Sequence, residues 1–289
     1  MNARNHFDIP LPGGRTLALG ERCLVMGILN VTPDSFAESA HRLDPAAAVD
    51  AALRMEAAGA DLIDIGGEST RPGAAAVSAD TELARVLPVL TALRGRIRVP
   101  LSIDTYKADV ARAALAEGAA IVNDISALRF DPSLARVVAD AGAALILMHT
   151  RGRPDAMREQ AVYEDVVSEV VAELRESMQR AADAGIGIER IVVDPGIGFA
   201  KLASHSYGVL ARLPELAALL ARPVLVGASR KSFLRDAAGG RPAVERDWGT
   251  AAAVTAAVLA GAHIVRVHAV AEMAQVVRVA EQIRSHADG

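Results

Sequence analysis

The chain has 289 residues, enough for one large core, and a single α/β barrel commonly needs about 250. Apolar residues make up 52% of the chain and aromatic residues only 3%, so the core must be built from small and branched aliphatic side chains, as in parallel sheets covered by Ala-rich helices. The net charge of −4 argues against a general nucleic-acid surface, and the single cysteine, Cys23, excludes an internal disulfide and suits a reducing compartment.

The first predicted element is a β-hairpin over His6–Gly20, with the string Leu11-Pro12-Gly13-Gly14 at its turn, and it is placed to plug the bottom of a barrel. The segment Met1–Gly20 has no apolar stretch of signal-peptide length. The charge-free stretch Gly249–Val265 is typical of a buried helix running into a strand rather than of a membrane span. We therefore expect a soluble, cytoplasmic protein with no membrane partner.

Short β-branched runs then alternate with longer Ala-rich helical patterns, as in repeated βαβ units. The predicted strands are Leu24–Leu29, Asp61–Gly66, Val99–Asp104, Ala119–Asp124, Ala143–His149, Arg190–Asp194, Pro223–Ala228 and His263–His268. The predicted helices are Pro45–Ala58, Ala79–Leu93, Lys107–Ala116, Ser133–Ala141, Tyr163–Ala184, Ser206–Leu220, Gly249–Ala260 and Ala271–Ser285. This strict alternation, with no break in composition, predicts one α/β domain over residues 1–289, a (β/α)₈ TIM barrel with an N-terminal β-hairpin.

Every predicted strand ends in polar residues, and the C-terminal ends of the strands are where a barrel builds its active site. In chain order these ends are Asn30, Gly66–Arg71, Asp104, Asn123–Asp124, His149, Asp194, Ser229–Lys231 and Arg266–His268. A single such residue is explained equally well by a helix cap. All of them together predict a functional site.

One group within this set offers hydrogen-bond acceptors. Asp104, Asn123 and Asp194 supply two carboxylates and an amide, which match the donor-rich edge of an aminopyrimidinone. A buried carboxylate also needs a donor-rich or cationic ligand to offset its desolvation. For Asp194, which heads the string Asp-Pro-Gly-Ile-Gly-Phe, a turn-forming role is the alternative.

A second group is cationic, and most of it follows the last two strands, where barrels often bind phosphate. Its members are Arg71, Lys231, Arg266 and His268. The alternatives are a salt bridge within the barrel wall for Arg266 and a structural histidine for His268. Glu68 is interpreted as structural, since the sequence supplies no partner for it. His149 is explained equally well as a buried hydrogen-bonding residue and as a ligand-binding residue. No cluster of His, Cys and Asp residues has the spacing of zinc ligands. No glycine-rich string of the nucleotide-binding type follows a predicted strand.

Seven strings resemble segments of the dihydropteroate synthases, in the family's order and spacing, over roughly residues 22–284. They are Met26–Phe36, Asp64–Gly73, Ser102–Thr105, Asn123–Ile125, Asp194–Phe199, Ser229–Phe233 and Arg266–His268. The resemblance implies an enzyme of folate biosynthesis and a sulfonamide target. Such an enzyme condenses 6-hydroxymethyl-7,8-dihydropterin diphosphate with 4-aminobenzoate, by a substitution of S_N1 character. It also implies Mg²⁺ as cofactor and a homodimer packed through C-terminal barrel helices.

The resemblance assigns roles residue by residue. The pterin would be bound by Asp104, Asn123, Ile125, Met148, Asp194, Phe199, Gly227 and Lys231. The diphosphate would be bound by Asn30, Thr70, Arg71, Arg266 and His268, with Asn30 also binding the metal. The 4-aminobenzoate pocket would be framed by Phe36, Thr70, Pro72, Lys231 and Ser232, and Asp34 belongs to the same closing loop as Phe36. Catalysis would fall to Asp104, Asp194, Lys231, Arg266 and His268.

The sequence also departs from the family pattern. Where Ser-Asp-Gly-Gly commonly follows Phe36, this chain has Ala37-Glu38-Ser39-Ala40, and Ala269 replaces the usual Asp after His268. Two alternatives stay open at this point. One is a pterin-barrel methyltransferase, which has no use for a diphosphate clamp, and the other is a catalytically inactive pterin-binding relative or partner subunit.

Overall fold

The N-terminal segment folds as the predicted hairpin. The computed structural model describes residues 4–32, 44–69, 74–153 and 156–286. Strands β1 (Phe7–Pro10) and β2 (Thr16–Leu19) pair antiparallel. Between them Gly13 adopts φ +73°, a left-handed conformation that glycine reaches without a Cβ clash.

Eight parallel strands follow and curl into a barrel. They are β3 (Leu24–Asn30), β4 (Leu62–Gly66), β5 (Leu101–Asp104), β6 (Ile121–Asp124), β7 (Ala144–Met148), β8 (Ile191–Asp194), β9 (Leu225–Val226) and β10 (Ile264–Val267). The sheet order is β8-β7-β6-β5-β4-β3-β10-β9, and a parallel bridge between Val193 and Val224 joins its two edges. The predicted barrel and its N-terminal hairpin are therefore confirmed.

Helices cover the outside of the barrel. They are α1 (Pro45–Ala57), α2 (Ala79–Leu93), α3 (Ala108–Ala116), α4 (Leu134–Ala141), α5 (Val166–Asp183), α6 (Ala203–Ala211), α7 (Leu213–Leu220), α8 (Asp247–Leu259) and α9 (Val270–Ser285). The single helix predicted over Ser206–Leu220 is wrong, because the chain breaks at Arg212 into α6 and α7. Pro214 accounts for the break, since its ring and missing N–H disfavour the interior of a helix and suit the first turn, where it stands in α7.

Two apolar cores hold this architecture. The larger one lies between sheet and helices and is built from side chains such as Ile63, Leu90 and Leu145. The smaller one lies inside the barrel, where Ile9 and Leu17 of the hairpin pack on strand residues and close the N-terminal end. No helix in the described part of the chain is long and apolar enough to cross a membrane.

Candidate active site

A cavity of about 350 Å³ lies where the barrel strands end. Many of the predicted site residues line it: Asn30, Asp104, Phe199, Gly227, Lys231, Ser232, Arg266 and His268. A larger groove, of about 1140 Å³, lies between the outer helices α6 and α8 and contains none of these residues. The polar chemistry therefore gathers at the barrel mouth, as the strand ends predicted.

An ion-paired network connects Arg266 on β10 to the acidic strands opposite. The Arg266 Nε donates to Asp64 Oδ2 and its Nη2 donates to Asp104 Oδ2, both at 2.6 Å. Asn123 Nδ2 donates to the same Asp64 oxygen at 2.8 Å. The salt bridge weighed as an alternative for Arg266 is thus present, and it joins the cation to a predicted pterin residue.

The environment of Asp104 makes its charge costly. Burial raises the pKa of this carboxyl to about 7, although the Arg266 guanidinium acts in the opposite direction. The neighbouring acid Asp64 contributes to this rise. Such a carboxyl gains by accepting hydrogen bonds from a ligand that is rich in N–H donors.

Asp194, at the end of β8, and Lys231, in the loop after β9, attract each other electrostatically. Both groups come close to Gly227, where an added Cβ would lie 3.7 Å from Lys231 Nζ and 3.8 Å from Asp194 Oδ2. Burial raises the pKa of Asp194, while Lys231 opposes the rise. Asp194 Oδ1 also accepts from the Gly196 N–H at 2.7 Å, so the turn-forming alternative holds alongside its place in the site.

Lys231 is held over the apolar side of the cavity. Its Nζ donates to the Ile197 carbonyl at 2.5 Å and lies 4.5 Å from the centre of the Phe199 ring. Burial lowers the pKa of Lys231 to about 8, while Asp194 acts to raise it. The ammonium group is therefore poised to change charge just above neutral pH.

A small apolar cluster stands between these charged groups. Ile125 and Met148, both predicted to shape a pterin slot, are buried together with Tyr106, and Phe130 and Phe199 pack against them. The Tyr106 and Phe130 rings meet edge to face with centroids 5.3 Å apart. An apolar surface bordered by acceptors suits a flat heterocycle with a polar edge.

His268 and Asn30 stand on the wall of the cavity on the side of β3 and β10. Ser229 Oγ lies 2.9 Å from His268 Nδ1 and accepts from the His268 backbone N–H at 3.2 Å. Asn30, half buried, lies at the end of β3. Ser229 therefore holds the His268 ring at the cavity wall.

Sequence reasoning missed several buried charges beneath the site. Asp64 is fully buried in the middle of β4, and the sequence signalled it only as an acidic residue inside an apolar strand and as the first residue of the string Asp64–Gly73. Lys201 is 8% exposed, and its Nζ lies 2.8 Å from His149 Nδ1. Burial lowers the pKa of Lys201 to about 7 and that of His149 to about 3, and the His149 Nε2 bonds to Glu173.

Glu68 has hydrogen-bond and ion-pair partners that could not be identified from the sequence. Tyr106 Oη donates to its Oε1 at 2.9 Å, and Lys107 forms short ion pairs with both Glu68 and Glu82. The cluster ties the end of β4 to α2 and α3, which agrees with the structural role predicted for Glu68. The predicted residues Asp34, Phe36, Thr70, Arg71 and Pro72, and the altered segment 37–40, lie outside the described residues.

The sequence is similar to known proteins of one family. The sequence matches the family described as pterin binding enzyme over residues 26–268. It is 45% identical over 280 residues to the dihydropteroate synthase of Synechocystis, covering 96% of each chain. It is 46% identical over 250 residues to the dihydropteroate synthase of Mycobacterium leprae, covering 84% of this chain and 87% of that one.

Solved structures give the same result. The dihydropteroate synthase of Burkholderia cenocepacia, complexed with 7,8-dihydropteroate, matches with a TM-score of 0.86 and 45% identity, over 98% of this chain and 99% of that one. The Xanthomonas albilineans enzyme with 4-aminobenzoic acid matches with a TM-score of 0.88 and 42% identity, over 96% and 99% of the two chains. This chain therefore belongs to the dihydropteroate synthases, within the wider family of pterin-binding enzymes.

Proposed function

We propose that this chain condenses 6-hydroxymethyl-7,8-dihydropterin diphosphate with 4-aminobenzoate, giving 7,8-dihydropteroate and diphosphate. The observation that carries the proposal is a set of acceptors and cations grouped at one end of the barrel. Its members are Asp104, Asn123, Asp194, Lys231 and Arg266. This combination suits a substrate with a donor-rich ring at one end and a diphosphate at the other.

Recognition of the pterin would rest on the acceptors and the apolar cluster. Asp194 and Asn123 are each only 4% exposed, so a ligand that reaches them must leave water behind. Their oxygens would pair with the ring N–H groups, which would otherwise be buried unsatisfied. Ile125, Met148 and Phe199 would contact the faces of the ring.

The chemistry would then depend on stabilising a leaving group. The bond between the pterin methylene carbon and a diphosphate oxygen breaks, and the electron pair leaves with the diphosphate. Arg266 and His268 stand on the cavity wall, where the Arg266 charge and the hydrogen-bond donors of both residues would stabilise the departing anion. The arylamine lone pair forms the new C–N bond, and the nitrogen then loses a proton. Because a neutral aniline is already nucleophilic, no strong base is required.

Asn30 is the residue we propose for holding magnesium. Mg²⁺ is usually bound by one or two protein oxygens together with substrate phosphates and water. Asn30 lines the cavity, as Thr32 and His268 do, and its amide oxygen would fit this pattern. Within the described residues no group of three or more His, Cys, Asp or Glu side chains makes a metal site of its own. When bound, the metal would neutralise charge on the diphosphate.

The deciding experiment is an assay of diphosphate release by the purified chain. Release should require both the pterin diphosphate and 4-aminobenzoate, and it should stop in excess EDTA and return with Mg²⁺. A methyltransferase would release no diphosphate, and an inactive relative would bind the pterin without turnover. Full activity in EDTA would remove magnesium from the proposal while leaving the reaction itself in place.

We also propose a homodimer formed through the outer face of α6 and α8. Trp248 is 89% exposed and Val244 69% exposed, and both line the groove of about 1140 Å³ together with Tyr207. An exposed apolar patch of this kind is typical of a protein interface. Light scattering should give twice the chain mass, and Trp248→Glu should give the monomer. A monomeric wild-type chain would contradict the proposal.

We also propose a cytoplasmic location. Cys23 is fully buried and unpaired, and burial raises the pKa of its thiol to about 12. A protein that relies on no disulfide suits a reducing compartment. Fractionation of cells that produce the untagged chain would test this.

A further inference from the structure

We infer that Asp64 is a positioning residue that fixes the orientation of both Asn123 and Arg266 toward the substrate. The inference rests on the proposed function, because it assigns the pterin to Asn123 and the diphosphate to Arg266. Asp64 is fully buried in β4, so its carboxylate acts on the substrate only through these two neighbours.

The geometry gives one oxygen two tasks. Asp64 Oδ2 accepts from Arg266 Nε at 2.6 Å and from Asn123 Nδ2 at 2.8 Å. Among the described residues its other oxygen, Oδ1, has no hydrogen-bond partner. A buried carboxylate with one unsatisfied oxygen is costly, and a neighbouring guanidinium offsets part of that cost.

The contact with Asp64 decides which end of the Asn123 amide faces the ligand. An ionised carboxylate only accepts hydrogen bonds, so the NH₂ group of Asn123 must point toward Asp64. The amide oxygen of Asn123 is therefore turned away from Asp64 as an acceptor. Asp64 in this way selects a ligand that presents an N–H donor at Asn123, as the reduced pterin ring does.

The same oxygen gives Arg266 a second anchor. Arg266 is tied to Asp104 through Nη2 and to Asp64 through Nε. A pterin whose donors pair with Asp104 competes with the first contact, whereas the second lies out of the ligand's reach. Asp64 therefore keeps Arg266 in place while Asp104 changes partners. The Nη1 group makes no hydrogen bond to a described residue, which leaves it to meet the leaving group.

The test compares Asp64→Leu and Asp64→Asn with a matched control in the same layer of the barrel. Ser102 lies opposite Asp64 in the β4–β5 register, is fully buried, and its hydroxyl has no partner within the described residues. Ser102→Ala removes that polar atom without touching Asn123 or Arg266. Calorimetry would use two probes, a 7,8-dihydropterin without phosphate and inorganic pyrophosphate with Mg²⁺.

Asp64→Leu should weaken binding of both probes by about 30-fold or more, because two ligand-binding groups lose their anchor. Asp64→Asn keeps one acceptor oxygen and loses the charge, so losses of about tenfold are expected. Ser102→Ala should stay within about twofold of wild type. If Asp64→Leu does not fold, Asp64→Asn carries the test, and wild-type affinity for both probes in that variant would overturn the inference.

Double variants separate positioning from a general structural role. In an Asn123→Ala background, Asp64→Asn should cost no further pterin affinity, and in an Arg266→Ala background no further pyrophosphate affinity. Additive losses in both backgrounds would overturn the inference, since Asp64 would then act by another route. A wild-type chain that binds the pterin but makes no dihydropteroate would instead contradict the proposed function.

Discussion

The two ends of the barrel are built from the same strands and have opposite chemistry. At the N-terminal end, Ile9 and Leu17 of the hairpin pack against strand side chains such as Leu62 in a core without charges. At the C-terminal end, Asp104 and Arg266 pair across the mouth of the same barrel. The difference teaches that stability and ligand binding are separated along the strand axis, and mutations at the two ends should separate them too.

Each end has its own energetic logic. Burying apolar side chains at the bottom stabilises the fold by roughly 25 cal/mol per Å² of apolar surface removed from water. Burying carboxylates at the top works against folding, since desolvation raises the pKa of both Asp104 and Asp194. The top is therefore organised for a ligand at some cost in stability.

The largest effect is expected at the bottom. Ile9→Ala removes a fully buried side chain from the hairpin and should lower the free energy of unfolding by about 2–5 kcal/mol. Urea unfolding measures the loss, and calorimetry should give unchanged pterin affinity in the folded variant. A large loss of pterin affinity in the folded variant would show that the hairpin and the C-terminal end of the barrel are coupled.

The opposite pattern is expected for Asp194. Asp194→Ala should reduce pterin affinity by about 2–4 kcal/mol, because ligand donors are left buried without an acceptor. Asp194→Asn is the matched control, since an amide oxygen can still accept from the Gly196 N–H and keep the turn. Asp194→Asn should also lose pterin affinity, because its NH₂ group would face the N–H donors of the ligand. Both variants should keep most of their stability, and unchanged affinity in calorimetry would sink the assignment.

The sequence predicted the fold well because hydrophobic period and chain order determine it. The alternation of strands and helices fixes a barrel, and the polar strand ends mark its mouth. The predicted helix over Ser206–Leu220 failed because Pro214 can begin a helix as readily as interrupt one. Local sequence patterns thus predicted the order of the strands and helices, but not the break that Pro214 introduces between α6 and α7.

The site was harder to predict, because its pairings cross the barrel. Asp64 and Arg266 lie 202 positions apart in sequence and meet only because β4 and β10 both flank β3. Lys201 and His149 are likewise brought together by neighbouring strand ends. Residue type indicates which side chains carry charge, but only the closed barrel determines which charges neutralise one another.

Acid should weaken the bottom through His263. This ring accepts from the Val224 N–H at 3.1 Å through Nδ1 and donates to the Asn5 carbonyl through Nε2, and the first of these contacts requires a neutral imidazole. Burial lowers the pKa of His263 to about 4. The unfolded chain, with a pKa near 6.5, then binds more protons, and stability falls between about pH 6.5 and 4, by roughly 3 kcal/mol in total.

His149, at the other end of the barrel, also has a lowered pKa and therefore also contributes to the loss of stability in acid. The control variant must therefore remove only the contribution of His263. His263→Gln keeps a donor and an acceptor without titrating, so urea unfolding should show a shallower acid loss rather than none. An unchanged slope between pH 6.5 and 4 would mean that His263 is protonated in the folded protein.

The smallest effect is expected for Lys231, at the C-terminal end of the barrel, when the pH is raised. Ligand affinity and folding stability should then change in opposite directions. Burial lowers the pKa of Lys231 to about 8, so its ammonium is lost above that pH, and pterin diphosphate affinity should fall by up to about tenfold per pH unit. Between pH 8 and about 10.4 the unfolded chain binds the extra proton, so the Lys231 contribution to stability rises as affinity falls. Lys231→Arg stays charged throughout and should remove both trends. Calorimetry and urea unfolding at pH 7.5 and 9.5 would measure them, and a parallel fall of affinity and stability would contradict a lowered pKa of Lys231 in the folded protein.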